Sequence, residues 1–208
     1  MVTRVSREGP TTRQTRAKGR ASRQKILEAA AAVAGERGYD GTTIALVSRE
    51  SGLSASSIYW HFADKDALLA AVVESGFEMW LGQVTRPDGE SLSERVTALC
   101  QGVARTLTRS PDFLRLGLML TLGARPTDST ARETYQRLRR EAVEQIAAAL
   151  LEVRPRLGSD DATALATYAL AGGDGIFLSA QIGDVDVERM FALHAEAMIH
   201  LIEAAAGP

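Results

Sequence analysis

A short polar and aromatic stretch between Ser54 and Lys65 contains the side chains best suited to contact a polyanion. It reads Ser-Ala-Ser-Ser-Ile-Tyr-Trp-His-Phe-Ala-Asp-Lys. Small residues at the start of a helix let its N-terminus approach base edges in the DNA major groove. Tyr, His and Lys side chains can hydrogen-bond to phosphate oxygens, and a helix N-terminus also favours phosphate. The residue types of this stretch therefore indicate nucleic-acid binding.

Two short helices joined by a tight turn are predicted to position these side chains. Thr43 can cap the first helix and Ser54 the second, and Gly52 supplies a permissive backbone at the bend between them. This arrangement is the helix-turn-helix pattern. Apolar residues stand where such a pair must pack on a preceding helix, at Val47, Leu53, Ile58 and Phe62.

The overall composition is that of a soluble globular protein with one domain or two small ones. Of the 208 residues, 45% are hydrophobic and 24% are charged. No apolar run approaches the roughly 18 residues that a membrane span needs, and the N-terminus lacks the apolar region of a secretory signal. The single cysteine, Cys100, excludes a disulfide scaffold within one chain. We expect a cytoplasmic protein.

Charge is distributed unevenly along the chain. Residues 1–65 hold 11 Lys and Arg against 6 Asp and Glu, a net charge of +5, whereas residues 66–208 hold 13 against 20, a net charge of −7. Only the N-terminal part is therefore expected to meet a polyanion. Residues 1–21 are basic and poor in apolar side chains, which predicts a disordered arm. This arm either touches DNA or is a solvated tail without a specific role.

The rest of the sequence has the spacing of helices almost throughout. Apolar residues recur every three to four positions, and Pro, Gly and capping residues separate the segments. We found no convincing strand alternation, so the predicted fold is all-α with about nine helices. Their expected ranges are 22–38, 43–51, 54–62, 64–81, 91–109, 111–123, 128–152, 160–182 and 186–205.

A wider pattern surrounds the helix-turn-helix: Gly38-x-x-Gly41-Thr42-Thr43, then Ser51-Gly52-Leu53-Ser54, then Ile58-Tyr59-x-His61-Phe62-x-x-Lys65-x-x-Leu68-Leu69. This pattern resembles the N-terminal domain of the TetR/AcrR family of bacterial transcriptional regulators. The resemblance implies a homodimer whose recognition helices, at about 54–62, enter successive major grooves of a near-palindromic operator. It also implies two domains, a DNA-binding domain over 22–66 and a helical domain over 67–208 that dimerises and binds a small effector.

The resemblance also implies which residues face DNA. The chain departs from the common pattern at Ser48 and Ser51, where alanines are usual, and at Ala55, where a lysine is frequent. Trp60 replaces the usual His or Tyr and could pack against a thymine methyl group. The implied DNA-binding residues are Thr43, Ser54, Ala55, Ser56, Ser57, Tyr59, Trp60, His61 and Lys65.

Aromatic and soft apolar side chains of the C-terminal part are candidates for the lining of an effector cavity. The segment 111–123 is apolar on nearly every side, which predicts a buried helix and a largely apolar effector. An ordinary helix-bundle core is the alternative. Arg115 could pair with an anionic effector or with a carboxylate of its own chain. The predicted lining is Phe77, Trp80, Phe113, Arg115, Leu116, Met119, Tyr135 and Phe177.

The last two helices are expected, from the resemblance, to form the dimer interface as a four-helix bundle. Glycines within 171–176 would let helices approach closely, and an apolar stripe follows in the final helix. Packing of the same stripe within one chain is the alternative. The predicted interface residues are Tyr168, Gly172, Gly175, Ile176, Met190, His194, Ala197, Met198 and Leu201.

These observations together predict a dimeric repressor that a small molecule releases from DNA. An activator, or a DNA-binding protein without an effector, could use the same helix-turn-helix. An enzyme is not expected, because the three histidines, His61, His194 and His200, lie in no metal-ligand or nucleophile motif. Neither a cofactor nor a metal ion is predicted.

Overall fold

In the computed structural model, the part of the chain that is described comprises residues 11–84, 89, 91–109, 111–122 and 129–207. Within these ranges the chain forms nine α-helices and no strand, which confirms the predicted fold class. No helix among them is long and apolar enough to cross a membrane. The helices are α1 (Thr11–Gly41), α2 (Ile44–Ser51), α3 (Ala55–His61), α4 (Lys65–Val84), α5 (Leu92–Arg109), α6 (Asp112–Leu122), α7 (Thr130–Val153), α8 (Ser159–Ile182) and α9 (Val187–Ala206).

Side-chain caps start several of these helices where the sequence predicts a start. The hydroxyl of Ser91 accepts a hydrogen bond from the Glu94 amide at 3.2 Å, and the Glu94 carboxylate accepts one from the Ser91 amide at 3.0 Å. This reciprocal pair is a capping box. Ser129 caps α7 and Asp186 caps α9 by a single bond each, in which the side chain accepts from the amide three residues later. Each cap satisfies a backbone N–H that has no partner inside the helix.

The first helix starts earlier than the sequence predicts, and it is interrupted at the residue where its end was predicted. It begins at Thr11, so residues 11–21 are helical where we expected a disordered arm, and residues 1–10 lie outside the described part. Extending an existing helix costs far less than nucleating one, which lets this polar segment continue α1. Near the other end, Gly38 adopts φ 66° and ψ −175°, so the regular helix is broken where the sequence predicted its end.

Two groups of buried side chains hold the helices together. The first is centred on α1 and α4 and includes the fully buried Ile26, Ile58, Leu69 and Leu120. The second joins α5, α7, α8 and α9 and includes Phe191 and Ile202. Helix α4 packs against α1, α5, α6 and α7, so it links the helix-turn-helix to the C-terminal bundle. The predicted domain boundary at residue 66 falls within its first turn and stays a prediction.

Two polar contacts reinforce the connection between the N-terminal helices and the bundle. The Asp66 carboxylate in the first turn of α4 accepts hydrogen bonds from the Thr130 amide at 2.6 Å and the Ser129 hydroxyl at 2.9 Å. It therefore adds a second cap to the start of α7. On the opposite side, Arg115 of α6 donates to the Gly35 carbonyl of α1 at 3.4 Å and to Gln181 of α8 at 2.7 Å.

Candidate nucleic-acid interface and effector cavity

The turn between α2 and α3 has the geometry that the sequence predicts. Gly52 has φ 68° and ψ 14°, a left-handed conformation that glycine adopts without strain. The Ser48 hydroxyl donates to the Leu53 carbonyl at 2.6 Å, and the Leu53 amide donates to the Ser51 hydroxyl at 3.3 Å. Ser48 and Ser51, which replace the usual alanines, therefore stabilise the turn through hydrogen bonds to the Leu53 backbone. Sequence reasoning did not assign this role to them.

Both helices of the motif start at the predicted caps. The Thr43 side chain accepts from the Leu46 amide, and the Ser54 side chain accepts from the Ser57 amide, each at 3.2 Å. The Ser54 hydroxyl also lies within hydrogen-bond distance of the hydroxyls of Ser56 and Ser57. The N-terminus of α3 therefore presents a cluster of three small hydroxyls, and Ala55 beside them is exposed.

Helix α3 has one buried side and one exposed aromatic side. Ile58 is fully buried and Phe62 is 6% exposed, so both belong to the core, as expected. Tyr59 is 55% exposed and Trp60 is 77% exposed. Large aromatic side chains at such exposure leave considerable apolar surface in contact with water, which a binding partner would remove.

The surroundings of His61 and Lys65, the two basic residues at the end of α3 and just beyond it, affect the charge that each can offer. Burial, and to a lesser extent the nearby Arg23 guanidinium, lower the pKa of His61, so its ring is mainly neutral at pH 7. The Lys65 ammonium donates to the Tyr39 carbonyl at 3.0 Å and lies 4.2 Å from the centre of the Tyr39 ring. One of its three N–H donors is thus engaged by α1, and a phosphate contact through the others stays a prediction.

A second candidate site is a cavity of about 330 Å³ inside the C-terminal bundle. Four of the predicted lining residues meet there. The rings of Phe77 and Trp80 stack with their centres 5.6 Å apart, and Phe113 lies 6.4 Å from Phe77 and 6.1 Å from Tyr135. These side chains form a continuous aromatic wall along a mainly apolar space.

The other four predicted lining residues do not border this cavity. Leu116 is fully buried in the first core, and Phe177 is buried on α8. Met119 is 37% exposed, with its sulfur beside Gly38 of α1. Arg115 lies 3.7 Å from Asp112 of its own helix, in addition to its bonds to Gly35 and Gln181. The helix 111–123 was predicted to be buried all round, whereas in the structure Leu122 is 76% exposed, because only one side of α6 faces the bundle.

Residues 26–72 match the sequence profile described as bacterial regulatory proteins, tetR family. They run from α1 into α4 and contain the complete helix-turn-helix. The N-terminal part of the chain is therefore similar to the DNA-binding region of tetR-family regulators. The resemblance stated from the sequence is thereby confirmed. The profile covers the N-terminal site and includes only four of the residues that line the cavity, Leu27, Glu28, Ala31 and Val72.

Individual proteins resemble this chain either in the sequence of its N-terminal part or in its overall fold. The chain is 33% identical over 81 residues to the HTH-type transcriptional regulator HbdR of Aromatoleum sp. (strain CIB), covering 39% of this chain and 35% of that protein. The chain therefore spans about a third of the length of this curated relative. The fatty acid degradation regulator FadR from Bacillus halodurans has a similar fold, with a TM-score of 0.73 at 13% identity over 93% of this chain and 97% of that one. The structure of a SmeT–triclosan complex gives a TM-score of 0.69 at 23% identity, over 86% and 90% of the two chains.

Several cavity residues were missed by sequence reasoning. Arg139 and Asp174 form a two-pronged ion pair, with N–O distances of 3.2 and 2.6 Å, at the polar end of the cavity. An acidic residue inside the apolar segment 169–178 was a usable signal, since such a residue needs a partner when half-buried. Leu27 and Ala31 bring α1 to the cavity wall. Cys100 lines it too, and burial raises the pKa of its thiol to about 11.

The predicted interface residues divide between two sides of α8 and α9. Tyr168, Gly175, Met190, Ala197 and Leu201 are exposed. The prediction fails for Ile176 and Met198, which are 8% and 3% exposed and pack inside the chain. At Gly172 a Cβ would collide with the His194 ring, so this glycine lets α8 and α9 approach within one protomer, and its place in the interface stays a prediction. His194 itself borders the cavity, with Nε2 3.1 Å from the Ala169 carbonyl.

Proposed function

We propose that the protein is a homodimeric transcriptional repressor that binds a near-palindromic operator through α3 and is released by a small, largely apolar effector. The observation that carries the DNA-binding part is the exposed side of α3. A capped N-terminus with three hydroxyls lies beside Tyr59 and Trp60, which are more than half exposed, while Ile58 anchors the helix from below. Major-groove readers present a helix in this way.

Operator binding tests this assignment. The purified protein is incubated with genomic DNA fragments at about 150 mM salt with competitor DNA, because any basic surface binds DNA weakly at low salt. Enrichment of a near-palindrome supports the proposal. Trp60→Ala and His61→Ala should then each weaken binding to that fragment about tenfold or more.

The matched control for Trp60→Ala is Leu122→Ala on α6. Leu122 is 76% exposed and Trp60 is 77% exposed, so both substitutions remove a large exposed apolar side chain. The control should keep full operator affinity. Normal affinity in folded Trp60→Ala and His61→Ala proteins contradicts the assignment of α3 as the recognition helix.

The outward sides of α8 and α9 support the homodimer. Leu178 and Ile182 of α8 are 48% and 80% exposed, and Leu193 of α9 is 49% exposed, close to the exposed members of the predicted interface. Apolar patches of this kind mark association surfaces. Sedimentation should give a dimer, and Leu193→Glu should shift it toward monomer. A wild-type monomer at micromolar concentration contradicts this part.

The cavity supports the effector. It is mostly apolar, it borders α1 and α4, and those helices carry the helix-turn-helix. A molecule that prefers one arrangement of these helices would shift the population of DNA-binding conformers. The fold neighbour SmeT has been solved as a complex with triclosan, which is compatible with a ligand site in a bundle of this shape.

A further inference from the structure

The polar groups of the cavity identify the kind of molecule that it takes. The Tyr135 hydroxyl is buried and has no hydrogen-bond partner among the described residues. Its residue is 4% exposed and lines the cavity. A buried hydroxyl without a partner costs free energy, and such groups are rare unless a ligand or water completes them. Tyr135 is therefore a donor that lacks an acceptor.

The position of Tyr135 is fixed by its surroundings. Its ring lies directly over Gly117 of α6, where any Cβ would collide with it. Phe113 packs against the ring from the same helix. Burial, together with the opposing influences of Arg139 and Asp174, raises the pKa of Tyr135 to about 12. The hydroxyl therefore keeps its proton at neutral pH and lies close to the polar end of the cavity.

The charges at that end are already neutralised. Both guanidinium nitrogens of Arg139 that face Asp174 are engaged by the two carboxylate oxygens. A two-pronged pair of this kind is among the stronger polar contacts in proteins, and breaking it would leave a half-buried Asp174 without its partner. The acidic residues Glu28 and Asp112 border the same cavity. Arg139 is the only Arg or Lys among the described residues that line the cavity, so an anionic ligand finds no unpaired Arg or Lys side chain there.

We propose that the effector is an uncharged, mainly apolar molecule with an acceptor oxygen, such as a carbonyl, that receives the Tyr135 hydrogen bond. This inference rests on the proposed role of the cavity as the effector site. The aromatic wall holds the apolar body, and the Arg139–Asp174 pair closes the polar end without binding a carboxylate. A ketone fits this description, whereas a fatty acid anion does not.

Trp80 provides a direct measurement of binding. The chain has two tryptophans, and Trp60 lies outside the cavity, so a Trp60→Phe protein reports through Trp80 alone. Three probes of equal carbon number are titrated into it without DNA: 2-nonanone, nonanoate and propylbenzene. We expect 2-nonanone to bind about tenfold more tightly than nonanoate at pH 7.5, because only the ketone is uncharged with an acceptor. Equal or tighter binding of nonanoate overturns the proposal.

Tyr135→Phe removes only the hydroxyl. The substitution should weaken the binding of 2-nonanone about five- to tenfold. The affinity for propylbenzene, which has no acceptor, should change by less than about twofold. Without ligand, the same variant should unfold about 2–4 °C higher, because an unsatisfied buried hydroxyl is gone. Unchanged binding of 2-nonanone, or a lower unfolding temperature, contradicts the inference.

Asp174→Asn tests the other half of the argument. It keeps the shape of the side chain and releases the Arg139 guanidinium from its carboxylate. Nonanoate should then bind about tenfold more tightly than it binds to the parent protein, while 2-nonanone changes little. Absence of any gain for nonanoate shows that the ion pair is not what excludes anions. Because these titrations contain no DNA, their failure is distinguishable from a failure of operator binding.

Discussion

The two sites differ in how the chain builds them. The helix-turn-helix is local: Thr43, Ser48, Gly52 and Ser54 form its caps and turn within twelve residues, and Ile58 anchors it on the core. The cavity takes its wall from helices far apart in sequence, including α1, α4, α5, α7 and α9. A local site keeps its shape through short-range bonds, whereas a site made by distant helices changes shape when those helices shift. This difference suits the roles proposed above, a fixed surface for DNA and an adjustable site for a ligand.

The largest expected difference between the two sites is in packing energy. Ile58 is fully buried beneath α3, whereas Ile146 is half-buried and borders the cavity. Ile58→Ala should lower the free energy of unfolding by about 3 kcal/mol, and Ile146→Ala by about 1 kcal/mol, because the second removes fewer contacts. Urea unfolding of both variants measures this. Equal losses of stability would show that the cavity wall is packed as tightly as the helix-turn-helix.

The next largest effect on the free energy of unfolding is expected for Asp66, whose carboxylate caps the start of α7. Asp66→Asn removes the charge from the acceptor of the Thr130 and Ser129 bonds and should cost about 2 kcal/mol. Although partial burial raises the pKa of Asp66, hydrogen bonds from Ser129, Tyr39 and Thr130 outweigh it and hold the pKa below the ordinary value of 3.8.

The pH dependence of unfolding gives an independent check on Asp66. A carboxyl group with a depressed folded-state pKa stabilises the protein above pH 3.8 and loses this contribution as the pH falls through the folded-state pKa. The wild-type protein should therefore lose stability more steeply than Asp66→Asn below about pH 4. If the stability of the two proteins falls equally with pH, the Asp66 carboxylate does not stabilise the contact between α4 and α7.

A smaller loss of stability is expected at Ser54, where two substitutions should separate its role in capping α3 from its role in DNA binding. Ser54→Ala removes the cap of α3 and should cost about 1 kcal/mol, whereas Ser54→Asp keeps a capping oxygen and should be nearly neutral. Only Ser54→Asp places a negative charge where a phosphate would lie, so it should weaken operator binding about tenfold or more. Normal DNA affinity of the stable Asp variant would place the start of α3 away from the DNA.

The smallest effect is expected for a surface ion pair between the same helices that Asp66 connects. Arg137 of α7 lies 2.9 Å from Glu74 of α4 and 2.8 Å from Glu141, and its side chain is 45% exposed. Water and salt screen such a pair, so Arg137→Met should change the free energy of unfolding by less than about 1 kcal/mol. Thermal unfolding at two salt concentrations tests this, and a loss equal to that of Asp66→Asn would contradict it.

The unequal success of sequence reasoning follows from the same contrast. Ser54, Gly52 and the capping box at Ser91 could be recognised because each acts on residues within three or four positions. The choice among Phe113, Leu116 and Met119 could not be made, since all three are apolar neighbours on α6 and only packing decides which one reaches the cavity. Ile176 and Met198 were assigned to the wrong side of their helices for a related reason. An apolar stripe shows that a face is buried, but not whether its own chain or a second copy buries it.

Gly35 of α1 illustrates a further consequence of close packing. A Cβ at this position would lie 2.5 Å from the Asp112 carboxylate, and Asp112 borders the cavity. An alanine here would displace the part-exposed Asp112 side chain, and a larger side chain would push α6 away from α1. With the cavity as the proposed effector site, a genetic selection for cells whose regulated genes no longer respond to an inducer should therefore return substitutions at Gly35, although this residue neither lines the cavity nor lies in α3.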